Sequence, residues 1–263
     1  MSDAGPELAY REFAPPLGIG ESFSQHHIKA RAADVARYVL MPGSHSRGRL
    51  IAERLEHAQL AAATRGYYVY TGVYHDTRLT VCSTGMGGPA VAIAMEELGR
   101  LGADTFIRVG SCGGWQPFLR VGDVVVATAT ARYGGTTRWY MPIEFPAVAD
   151  HAVTHALIEA GHRLRIPLHH GICAARDAFY VDWDPAVRDR LERAGVLVSE
   201  MEADTVFVVG STRGWRCGAA FVVASSADHA ATRADGQASL DSGERTLVDV
   251  ALEAVADLGS AES

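Results

Sequence analysis

The sequence predicts an α/β fold: a single-domain, three-layer α/β/α sandwich with a mixed, mostly parallel central sheet. Three observations predict it. Short apolar runs alternate with amphipathic stretches along most of the 263 residues. No Pro/Gly/Ser-rich linker, internal repeat or low-complexity segment divides the chain. Hydrophobic residues make up 48% and charged residues 21%, enough apolar side chain for one large core.

Residues 1–25, rich in Pro and Gly, read as an N-terminal arm, and 26–263 as the domain. "RYVLMP" is a strand, followed by an amphipathic helix over "RGRLIAERLEHA" with Leu50, Ile51 and Leu55 on one face. "YYVYTGVYHDTRLTVCST" is a hairpin bent near His75-Asp76. "GPAVAIAMEELGRLG" is a helix closed by Gly102, and "TFIRVG" the next strand. "GDVVVATATA" is a strand and "PAVADHAVTHALIEAGHRL" a long helix. Short strands follow at "HHGICAA" and "GVLVSEM", then a helix from about Met201 to Ser211. A last strand, "CGAAFVVASS", and a closing helix, "ERTLVDVALEAVADLG", complete the pattern. In such folds ligands bind beyond the carboxyl ends of the strands, where the unusual residues cluster.

Composition excludes several classes. A net charge of −7 disfavours a nucleic-acid surface, and Lys29 is the only lysine. No apolar run is long enough to span a bilayer and no secretory signal pattern opens the chain, so no membrane partner and a cytoplasmic location are expected. Cys82, Cys112, Cys173 and Cys217 lack metal-ligand spacing and read as reduced, mostly buried thiols.

Five stretches carry candidate chemistry. In "LMPGSHSRGRL" a strand ends at Pro42-Gly43 and a helix starts with Arg47 in its first turn, either an anion site or an ordinary connection. "STGMGGP" is a tight turn or a ligand loop without dinucleotide-binding spacing. In "TFIRVGSCGG" Arg108 lies inside an apolar strand and needs a carboxylate or an anionic ligand, with Ser111 and the N–H groups of a small-residue loop at 110–114 beside it. "VVASSADHAAT" places Asp228 after a buried strand, as a desolvated acid or a turn cap. "SEMEAD" ends an apolar strand with Glu200 and Glu202, which could simply complement a helix macrodipole.

The order of "TGMGGP", "IRVGSCGG", "GDVVV", "FPAVAD", "DAFY" and "EMEA" resembles the nucleoside phosphorylase superfamily, in the branch of the hexameric bacterial purine nucleoside phosphorylases and the uridine phosphorylases. The resemblance runs from about His27 to the closing helix. It implies phosphorolysis of a nucleoside to free base and ribose 1-phosphate, with inorganic phosphate as co-substrate and no metal or organic cofactor. Gly43, Arg47, Arg108 and Ser111 match phosphate-holding positions, and Arg65 an arginine lent by a neighbouring subunit. His27 matches a histidine that reaches the ribose 5′-hydroxyl, also from the neighbour. Met86, Glu200, Met201 and Glu202 match ribose contacts, while Cys112, Gly113 and Phe179 fall on the base side. Asp228 matches the acid that assists a purine leaving group, and Arg245 the arginine that supports it. A homo-oligomer, a dimer or a hexamer built as a trimer of dimers, is implied.

The chain departs from the family at Gly43-Ser44-His45-Ser46-Arg47, where the family reads G-D-P-x-R, and "FYVDWDPAVRD" lacks the Gln-x-Arg with which uridine enzymes read uracil. A purine is therefore expected, with uridine the alternative. Hydrolysis of the same bond ranks lower because the phosphate arginines remain, and a non-catalytic nucleoside-binding relative ranks lowest.

Overall fold

The structure, a computed structural model, describes residues 24–226 and 233–261. The expected arm lies outside the described residues except for its last two.

Ten strands are described: β1 (Tyr38–Pro42), β2 (Glu56–Thr64), β3 (Tyr67–Tyr74), β4 (Thr77–Ser83), β5 (Thr105–Gly114), β6 (Val124–Tyr133), β7 (Ala147–Val148), β8 (Leu168–Arg176), β9 (Val198–Glu200) and β10 (Arg216–Ser226). The helices are α1 (His45–Ala52), α2 (Gly88–Arg100), α3 (His151–Arg163), α4 (Pro185–Arg193), α5 (Ala203–Arg213) and α6 (Arg233–Ser260). All strands join one mixed sheet. From the β2 edge the order is β2-β3-β4-β1-β5, after which β5 pairs with both β9 and β10. Because β9 pairs with β8, β8 with β6 and β6 with β10, five strands close into a ring. Parallel and antiparallel pairings are evenly represented, a more even mixture than alternation alone suggests.

Side-chain alternation along the strands makes the two helical layers. Val39 and Met41 of β1 face one core with α2 and α5, where Met95, Leu98 and Phe207 are buried. Tyr38 and Leu40 face the other, with Ile51 of α1, Leu157 of α3 and Leu247 of α6. The sandwich is the one expected.

Several local expectations change. The helix over "RGRLIAERLEHA" stops at Ala52, and the rest of that stretch turns into β2, an edge strand whose first five residues are exposed. The predicted small-residue loop at 110–114 is the end of β5, because β10 and β9 supply ladder partners there. Gly110 lies opposite Phe221 in the ladder, where a Cβ would come 2.7 Å from the Phe221 ring. The helix over "GPAVAIAMEELGRLG" holds, and Gly102 closes α2 at φ +106°. The closing helix begins earlier than expected, at Arg233. All four cysteines are free and buried. Among the described residues, no helix is long and apolar enough to cross a membrane.

Candidate active site

The carboxyl ends of β1, β5 and β9 meet at two buried arginines. Ser44 starts α1, its hydroxyl accepting the Arg47 N–H at 3.2 Å, so serine performs the N-cap role open to the family's aspartate. His45 ties the same loop to β3: its ring stacks on Tyr68 with centroids 3.5 Å apart, and Nε2 lies 2.8 Å from the Tyr70 hydroxyl. Arg47, 5% exposed, donates to Val109 O at 3.2 Å and to Ser111 Oγ at 2.7 Å, and it pairs with Glu244 of α6.

Arg108 is opposite Met41 in the β1–β5 ladder and 3% exposed. It donates to Thr84 Oγ1 at 2.8 Å and to Glu202 Oε2 at 2.7 Å. Gly43 leaves space for this guanidinium, because a Cβ there would sit 2.8 Å from Nη2. The Nε atoms of both arginines are buried without a partner among the described residues. Two cations with spare donors at a strand-to-helix turn can hold a tetrahedral anion.

The paired carboxylates divide their work. Glu200 Oε2 accepts the N–H groups of Glu202 and Ala203 at 2.8 and 2.9 Å, so Glu200 satisfies the start of α5. Glu202 turns the other way: Oε1 accepts the Gly87 N–H at 2.6 Å while Oε2 meets Arg108. The helix-terminus reading therefore describes Glu200, and Glu202 belongs to the arginine cluster. Burial, reinforced by Glu202, pushes the Glu200 pKa up to about 8. Its Oε1 is buried without a partner among the described residues.

Other expected residues occupy the rim or lie apart. Met86, 80% exposed, sits between Gly85 and Gly87, with Met201 half-buried nearby in sequence to both carboxylates. Phe179 is exposed after β8. Gly113 is half-buried, and the Cys112 thiol is buried in the core, 3.6 Å from Val222 O. Arg65 caps the exposed β2–β3 turn at φ +50°. His27 is bound to Glu97, with Nδ1 at 2.6 Å and the backbone N–H at 2.9 Å, roughly 14 Å along α2 from its first residue. Neither His27 nor Arg65 joins the arginine cluster of its own chain. Arg245 is also not brought there: it is exposed, and its neighbour Glu244 is the side chain that α6 delivers. Asp228 lies outside the described residues.

Sequence reasoning missed Glu244, Thr84 and Arg176. Nothing in the motifs marks Glu244, which opens the stretch read only as a closing helix. Arg176 holds the segment behind Phe179, donating to Phe179 O at 3.2 Å and to Val181 O, with its guanidinium 5.0 Å from the Trp183 ring centroid. Among the described residues no group of three His, Cys, Asp or Glu side chains is placed to hold a metal ion.

Residues 37–258 match the phosphorylase superfamily. A uridine phosphorylase of Thermococcus kodakarensis is 41% identical over 247 residues, covering 89% of this chain and 87% of its own. A guanosine phosphorylase of Halorubrum lacusprofundi is 40% identical over 195 residues, 74% of this chain and 80% of its own. The crystal structure of a Vibrio fischeri uridine phosphorylase superposes with a TM-score of 0.83 at 30% identity, covering 89% of this chain and 97% of that one.

Proposed function

This chain belongs to the phosphorylase superfamily, and we propose that it cleaves the N-glycosidic bond of a nucleoside with inorganic phosphate, releasing free base and ribose 1-phosphate. The observation that carries the reading is the pair of buried guanidinium groups, Arg47 and Arg108, set beside the Glu202 carboxylate. Departure of the base leaves positive charge on the sugar and negative charge on the base. Phosphate held by Arg47, Arg108, Ser111 and the Gly43 turn stabilises the sugar cation and then bonds to C1′, while electrons of the broken bond leave with the base. Glu202 keeps lone pairs free to accept the ribose 2′- and 3′-hydroxyls. Met86 and Met201 cover the sugar, and Phe179 packs on the nucleoside. Phosphate is the only co-substrate this chemistry requires.

The positions of His27 and Arg65 support a homo-oligomer, a dimer or a hexamer, in which each completes a neighbour's site. Uridine gains as the substrate because relatives named uridine phosphorylases match over most of the chain. A purine is the second reading, favoured by the missing Gln-x-Arg after Phe179-Tyr180 and by the guanosine phosphorylase among the relatives. In that case Asp228 protonates the leaving base.

The test measures base release from uridine, inosine, guanosine and adenosine with and without phosphate. Turnover is expected only with phosphate. Equal release without it makes the protein a nucleosidase and overturns the reading, and the preferred nucleoside decides the base.

A further inference from the structure

α6 delivers the Glu244 carboxylate to Nη2 of Arg47, the same nitrogen that donates to Ser111 Oγ at 2.7 Å. The helix is seated closely at this point. A Cβ at Gly243 would come 2.3 Å from Gly122 O, and Gly122 is itself fixed through its N–H to Val223 O at 2.9 Å. Glu244 is therefore presented from a fixed backbone, and only its side chain is free to move.

The two arginine–carboxylate pairs of the site differ in kind. Glu202, 5% exposed, is held from its other side by the Gly87 N–H at 2.6 Å. Glu244 has no second hydrogen bond among the described residues, and its side chain is 31% exposed. Arg47, at 5%, is enclosed and anchored to Val109 O and Ser111. The carboxylate can swing into water, and the guanidinium cannot follow it. A carboxylate also offers the forked pair of oxygens that a phosphate offers to the same guanidinium.

We propose that Glu244 is an intramolecular stand-in for phosphate: it occupies Arg47 when the anion site is empty and is displaced when phosphate enters. Glu244 then sets phosphate affinity, since the incoming anion binds only the fraction of sites in which Arg47 is released. The proposal deepens the phosphorolytic reading and rests on it.

The test is calorimetric titration of the full chain with inorganic phosphate, for wild type, Glu244→Gln and Glu244→Ala. Glutamine keeps the shape and removes the charge, and alanine removes the contact altogether. Both variants are expected to bind phosphate about tenfold more tightly, a modest share of the coupling measured for close charge pairs. Unchanged affinity in both overturns the proposal. Weaker binding in both also overturns it and makes Glu244 a support for Arg47. If wild type binds no phosphate at all, the phosphorolytic reading fails and takes this proposal with it. Wild-type binding that the substitutions leave unaltered sinks only the role of Glu244.

Discussion

Arg108 and Glu202 form an ion pair at 2.7 Å in which both side chains are at most 5% exposed. Breaking such a pair from one side leaves an uncompensated charge in the interior, at a cost of about 3 kcal/mol. Arg108→Met and Glu202→Leu are each expected to cost about that much, and the double variant less than their sum. Urea unfolding of the four proteins checks the cycle. Strict additivity would mean that the charges do not depend on each other.

Glu200 makes stability depend on pH. Burial beside Glu202 raises its pKa from 4.5 to about 8, so the native state holds the proton more firmly than the unfolded chain. Such a group contributes fully below its unfolded pKa and loses its contribution as pH rises through the folded one. Stability is therefore expected to fall between about pH 4.5 and about pH 8, and Glu200→Gln should flatten the decline. Asp204, raised by burial from 3.8 to about 6, has the same sign and adds a smaller decline over the acidic part of the range. Urea midpoints across this window measure both, and an unaltered slope in the Glu200→Gln variant would refute the assignment.

Arg176 gathers two carbonyls and an aromatic face around residues 179–183. Lysine keeps the charge but has no planar fork to bridge the two carbonyls. Arg176→Lys is expected to raise KM for the nucleoside by about tenfold, the size of one or two lost hydrogen bonds, and to change kcat and the KM for phosphate much less. An equal fall in kcat would place the effect at the chemical step.

His27 and Arg65 stand apart from the arginine cluster of their own chain. Mixing an Arg65→Ala protein with a Glu202→Gln protein under subunit exchange should recover part of the activity lost in each, because some sites then receive both intact halves. No recovery after exchange, shown by mass-labelled subunits, would place each complete site within one chain.

The sequence made the layers and the arginines legible because both follow from local rules. Alternation in "RYVLMP" sorts its side chains between two cores, and a lone Arg108 in an apolar strand demands an anion wherever it folds. β2 was hidden for the opposite reason. "EHAQLAAAT" is rich in helix formers, lies on an exposed edge and carries no alternating pattern, so only pairing with β3 makes it a strand. α4 had a readable start, Asp184 followed by Pro185, whose carboxylate accepts the Ala186 and Val187 N–H groups at 2.8 and 3.1 Å. Motif order could not show that the Cys112 thiol is buried in the core or that Arg245 is exposed, because both depend on how β5 and α6 pack. Glu244 could not be found by spacing at all. Its place beside Arg47 depends on a glycine contact between α6 and the turn before β6, which brings distant segments together.

The ring of five strands also has a meaning in time. Thr105 of β5 is paired with Arg216 of β10, about a hundred positions further along the chain, and the other members lie between them in sequence. Every segment from β5 to β10 must be present before the circuit can close, so its entropy cost falls early and its contacts reward it late. Refolding from denaturant is expected to be slow for this reason, in the milliseconds-to-seconds range of non-local β topologies or beyond it. The price of drawing β5 and β9 into one ring with β10 is a nascent chain that stays open until its last strand has emerged.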